Sequence, residues 1–136
     1  MKKLWAGLFR TEGNRHIWYK NQDGAPWRVP IGVREMQQYV FASPVASRLG
    51  LRLCVELGER GTLEVPTNRW DDFRRELETL AKHTHQLSTG STYRDEFGRT
   101  LEENLAFDHV IARLIEALDQ AEQFRGEGAV LSIASV

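Results

Sequence analysis

Leu51-Arg52-Leu53-Cys54-Val55-Glu56-Leu57-Gly58-Glu59-Arg60-Gly61-Thr62-Leu63-Glu64-Val65, followed by Pro66-Thr67-Asn68, is the stretch whose reading decides the fold. Leu51, Leu53, Val55 and Leu57 alternate with Arg52, Cys54 and Glu56, the period of two expected of a half-buried strand. Gly58-Glu59-Arg60-Gly61 reads as a turn, and Thr62 to Val65 returns with Leu63 and Val65 on one face. The spacing predicts a β-hairpin. Past Pro66 the apolar period changes to that of a helix. Trp70, Phe73, Leu77, Leu80 and Leu87 fall on one stripe, Asn68 is placed to cap, and Asp71 and Asp72 suit the positive end of the helix dipole. This helix is expected to run to about His85.

Upstream, Leu4 to Phe9 and Arg15 to Lys20 are rich in aromatic and branched residues and flank Thr11-Glu12-Gly13-Asn14, a second hairpin signal. Asn21 to Pro26 is another turn. Trp27 to Ile31 reads as extended, with Pro26 and Pro30 keeping it off a central strand position. Val33 to Ala42 has the spacing of a short helix that ends before Pro44, and Ser43 to Gly50 stays open.

Downstream, Leu87 to Arg99 reads as a polar loop. Thr100 and Glu103 match a capping box for a second helix from Leu101 to about Phe124, broken by Gly126 and Gly128. Its apolar face is Leu105, Val110, Ile111, Leu114, Ile115, Leu118 and Ala121. The tail from Ala129 to Val136 is apolar enough for an edge strand.

This order predicts an α+β fold, a mostly antiparallel sheet of short strands with two C-terminal amphipathic helices packed on one face. Trp70, Phe73, Leu77, Ile111, Leu114 and Leu118 are the expected core. A chain of 136 residues fits one domain. Within it, a basic, Trp-rich strand part spans about 1–66, an acidic helical part about 67–125, and the edge strand 129–136. Hydrophobic residues make up 41% and charged residues 27%, which excludes a disordered or fibrous class. Cys54 is the single cysteine and has no internal disulfide partner. The apolar run after Lys2-Lys3 stops at Arg10, too short for a signal peptide, and no stretch reaches a membrane span, so a soluble, cytoplasmic protein is expected.

Charge is split along the chain. Residues 1–52 hold nine Lys/Arg against three acids, a net of +6, whereas the remainder holds nine against sixteen, a net of −7. Trp5, Trp18 and Trp27 also lie in the basic part, so a partner surface is expected there.

Motifs for catalysis are weak. His83 and His85 point about 200° apart on a helix and cannot share a metal as an i, i+4 pair does. His16 and His109 lie in other elements, Cys54 has no Cys-x-x-Cys partner, and no phosphate-cradling glycine string is present. Nothing around Cys54 argues for a lowered pKa. No metal, no cofactor and no catalytic residue are therefore expected.

Two binding classes remain. The first is a non-catalytic module that recognises and inhibits a protein partner, with Trp18, Tyr19, Trp27 and Arg28 as candidate contacts, joined by Tyr93, Arg94 and Phe97 from a connection longer than helix pairs usually need. Immunity proteins that neutralise bacterial toxins are small cytosolic proteins of this class, an analogy of size and class that no residue here carries. The alternative is a nucleic-acid-binding module in which the basic N-terminal half stacks and neutralises an oligonucleotide.

Overall fold

In β1 (Lys3–Glu12), Leu4, Ala6 and Leu8 are fully buried while Trp5 and Gly7 are half-buried, so the strand's even and odd residues serve opposite faces of a sheet. The fold comes from a computed structural model that describes residues 3–84, 92–94 and 100–135, with residues 35, 36, 92–94 and 100–108 described by their backbone only.

β1 and β2 (Arg15–Trp18) form the expected antiparallel hairpin, with Phe9 opposite Trp18 and Glu12 opposite Arg15. Gly13 takes the turn at φ 60°, a region that favours glycine. The Tyr19 N–H donates to the Leu8 carbonyl at 2.9 Å, then the chain leaves the sheet for Lys20 to Pro26 and returns where the Trp27 N–H donates to the Tyr19 carbonyl at 3.0 Å. β3 (Arg28–Val33) resumes on the same edge of β1, pairing Gly7 with Arg28 and Trp5 with Pro30. β2 and β3 thus lie end to end along one side of β1. Pro30 sits on an outermost strand, where its missing N–H costs no interior ladder bond.

The other side of β1 pairs with β7 (Val130–Ser135), and β4 (Leu63–Pro66) pairs with β7 beyond it, all antiparallel. The C-terminal strand was expected at an edge and instead lies inside the sheet. Val130-Leu131-Ser132-Ile133-Ala134-Ser135 carries no charge and no proline, so both its sides accept a ladder, and it lacks the devices that protect an edge.

Residues 51–60 depart further from the expected hairpin. Arg52–Arg60 is a helix, α3, preceded by α1 (Arg34–Phe41) and α2 (Pro44–Arg48). α1 matches the helix expected over Val33 to Ala42, and α2 fills the span left open. Ser43 caps α2, its Oγ accepting from the Ala46 N–H at 3.2 Å, with Pro44 in the first turn. In α3 the buried residues are Leu53, Cys54, Leu57 and Gly58, a helical stripe, so Cys54 faces the core beside the leucines. The alternation at 51, 53, 55 and 57 contains the i, i+4 pair Leu53/Leu57, and the same letters therefore suit either period.

Tertiary contacts decide in favour of the helix. A Cβ at Gly58 would stand 2.2 Å from the Ala42 nitrogen, so α1 and α3 meet backbone to backbone there. Gly61, at φ 74°, closes the helix by donating to the Leu57 carbonyl at 2.8 Å. From α4 (Trp70–Ala81), Glu76 accepts the Cys54 N–H at 3.1 Å and satisfies a free donor at the start of α3. Of the expected hairpin only β4 is a strand. The supposed strand half of the chain holds three helices.

α4 buries Trp70, Phe73, Leu77 and Leu80, as the periodicity predicts, and ends at Ala81 rather than His85. Asn68 does not cap it. A 3-10 turn over Thr67–Arg69 leads in, and Thr67 donates its hydroxyl to the Ala129 carbonyl at 2.6 Å. Leu87 and His85 lie outside the described residues. The connection expected as loop contains a two-stranded ladder, β5 (Thr92–Arg94) with β6 (Thr100–Glu102). Thr100 is consequently a strand residue and no helix cap. α5 spans Glu103–Ala121, and a 3-10 turn over Glu122–Glu127 ends at Gly128, φ 69°.

The described residues form an α+β fold with the helices against one sheet face. Leu4, Ala6, Leu8, Val29, Ile31, Leu63, Val65, Leu131 and Ile133 from the strands share a buried cluster with Trp70, Phe73, Leu77, Ile111, Leu114 and Leu118. Every expected core residue is in it. Ion pairs tie the acidic helices together: Arg74 to Asp119 at 2.5 Å and Arg125 to Asp71 at 3.0 Å.

Candidate partner-binding face

The sheet's other face carries the odd residues of β1 and their row-mates. One row runs Arg28, Gly7, Ser132, Glu64, the next Pro30, Trp5, Ala134, and a third Trp18, Phe9, Val130, Pro66. Phe9 is 2% exposed yet lies outside the main core. Its cover is aromatic: the His16 ring stacks on it at 4.2 Å between centroids and the Trp18 ring leans on it at 5.0 Å. Trp18 remains 50% exposed. A Cβ at Gly7 would come 3.2 Å from Trp18 Cζ3, so the absence of a side chain at Gly7 lets the indole settle over the strand.

A groove of about 400 Å³ opens here, open to solvent, with Trp5, Trp18, Trp27 and Arg28 as walls. Gly7, Ser132 and Ala134 line its floor. Small residues beneath aromatic walls leave room for an apolar side chain, and Arg28 supplies a positive rim. Among the described residues neither Arg28 nor Glu64, at opposite ends of one row, makes an ion pair.

The structure brings Trp18, Trp27 and Arg28 together at this groove. Tyr19 borders it, but its side chain is committed to packing: the ring lies 4.4 Å from Phe124 and the hydroxyl donates to Glu127 at 3.0 Å. Burial first and the Glu127 carboxylate second raise the Tyr19 pKa. Trp27 is 7% exposed and divides its surface between core and groove. Tyr93 and Arg94 lie on β5, which packs against β6 and α5, and Phe97 lies outside the described residues. Trp5, read only as part of the basic, Trp-rich half, and Gly7, Ser132 and Ala134 were not among the candidate contacts of the sequence. Alternation along β1 was the available signal for the first two, whereas Ser132 and Ala134 enter through a register that joins the two ends of the chain.

A second cleft, about 230 Å³, lies between the start of α3 and α4, with Arg52, Arg69 and Arg75 around it. Two of these three arginines are answered internally. Asp72 pairs with Arg69 and Arg75, each at 3.5 Å, and Glu76 occupies the helix start. Burial raises the Glu76 pKa, opposed by its hydrogen bonds from Cys54 and Leu53. Cys54 is buried, and burial with the nearby Glu76 charge pushes its thiol up, the opposite of an activated nucleophile. His83 is engaged with the Thr79 carbonyl at 2.9 Å. Among the described residues no three His, Cys, Asp or Glu side chains converge on a metal-sized site, and no helix is long and apolar enough to cross a membrane.

No protein-family model matches the chain, and neither curated proteins nor solved structures give a match, so function is argued from its own residues.

Proposed function

We propose that this chain is a non-catalytic protein-binding module, acting in the cytoplasm, whose recognition surface is the sheet face around Trp18. One observation carries the reading: a tryptophan held half exposed over Gly7, beside an apolar groove, on the face opposite the helices. Aromatic anchors next to an arginine are the residues that dominate protein interfaces, while rim charges chiefly set association rate. Inhibition of the partner, as immunity-type proteins inhibit toxins, is the form of binding that fits a small chain with one such face.

Capture from a host lysate with wild-type, Trp18→Ala and Arg28→Ala baits tests this. A partner held by wild type and lost by both variants, at unchanged melting temperature, supports it. Nucleic-acid binding draws on one specific observation, that exposed Arg15, Lys20 and Arg28 surround Trp18 in sequence without ion pairs among the described residues. Oligonucleotide affinity that falls steeply with salt and is abolished by substituting those three would replace the protein-binding reading.

A further inference from the structure

We propose that the open sheet face docks onto the same face of a second copy of this chain. The inference rests on the protein-binding reading of that face and names the partner. The face divides along the line between β1 and β7. On one side stand the bulky Trp5 and Trp18 with the positive Arg28; on the other stand the small Ser132 and Ala134 with the negative Glu64.

A two-fold axis parallel to the strands, set along that line, keeps every residue in its own row and exchanges the sides. Trp5 of one copy then lies over Ala134 of the other, the Trp18 indole, which rests on Gly7, over Ser132, and Arg28 over Glu64. The two indoles meet small residues, as side chains of stacked sheets must in order to interdigitate across about 10 Å. The charges meet their opposites, neither having an ion-pair partner within the described chain. An axis perpendicular to the strands would instead set Arg28 against Arg28. One patch thus serves both copies, the requirement for a closed two-fold interface. Four strands at ~4.8 Å and about six residues at ~3.3 Å make a face roughly 20 Å on a side. Two such faces total about 800 Å², just under the about 1,000 Å² of specific interfaces, so a weak dimer is expected.

Sedimentation equilibrium of the full chain from about 10 μM to about 1 mM, at low and moderate salt, decides it. Wild type should show a monomer–dimer equilibrium. Trp18→Ala, Arg28→Glu and Glu64→Arg should each weaken it about tenfold or more, and the Arg28→Glu/Glu64→Arg double variant should restore it. All three sites are exposed, and unchanged near-UV circular dichroism confirms folding of each variant. Glu78→Arg, on the exposed side of α4, should leave the equilibrium alone. A chain that stays monomeric throughout overturns the inference, as does a dimer that the single variants leave intact or the double variant does not restore. If the monomer still captures a foreign protein through Trp18, the protein-binding reading survives; if it captures none, both readings fall.

Discussion

Replacing Gly58 by alanine tests whether residues 52–60 form a helix pressed backbone to backbone on α1. The added Cβ would meet the Ala42 nitrogen at 2.2 Å, the Phe41 carbonyl carbon at 2.5 Å and the Ala42 Cα at 2.7 Å. These are backbone atoms with no rotamer to yield. Reaching ordinary carbon contact requires α1 and α3 to separate by about 1 Å. Overpacking of this kind costs about 3 kcal/mol or more. Alanine recovers at most ~1 kcal/mol over glycine through helix propensity. A net loss of about 2 kcal/mol remains, which for a chain of this size lowers the melting temperature by about 6 °C. Urea unfolding should show the loss as a shifted midpoint with an unchanged slope. Glu59→Ala, at the adjacent exposed position, should stay within about 0.5 kcal/mol and serves as the control. A Gly58→Ala protein as stable as wild type, or more so, would refute the close approach and reopen the hairpin reading.

Leu114→Ala, at a fully buried position of α5, should cost about 2–5 kcal/mol in the same unfolding assay, and a loss below about 0.5 kcal/mol would put the residue on the surface. Glu76 links stability to pH. Its folded pKa lies above the ordinary value of 4.5, so its ionisation is harder in the folded chain, and its contribution is most favourable below that ordinary value and declines as pH rises through the raised one. Wild type should therefore lose stability relative to Glu76→Gln as pH rises from about 4 to about 7, the amide still accepting the Cys54 N–H. A difference between the two that stays constant over that window would contradict the assigned cause.

The α+β class was legible because one unmistakable helical stripe, Trp70 to Leu80, follows a chain start rich in strand signals. Leu51 to Leu57 was misread because its seven-residue alternation contains the i, i+4 pair Leu53/Leu57; the contact between Gly58 and Ala42 that separates the two readings joins residues distant in sequence. The interior place of β7 was hidden for a similar reason, since position at a chain end says nothing about position in a sheet. At the candidate face, Trp18 and Tyr19 were both legible as candidates, yet as chain neighbours their side chains diverge: Trp18 lies over Gly7, whereas Tyr19 borders the groove but packs on Phe124. Ser132 and Ala134 are unremarkable letters until the register with Gly7 and Trp5 sets them in the floor.

Recognition of a protein on the open sheet face is the proposal from which the other readings of this surface follow. A photo-crosslinking side chain placed at Ser132, in the middle of that face, and at Glu78, on the helix side, tests it directly in living cells. Protein adducts at position 132 that are absent at 78, and lost when Trp18 is replaced by alanine, are the predicted result. Adducts equal at the two positions, confined to 78, or made of nucleic acid would contradict it.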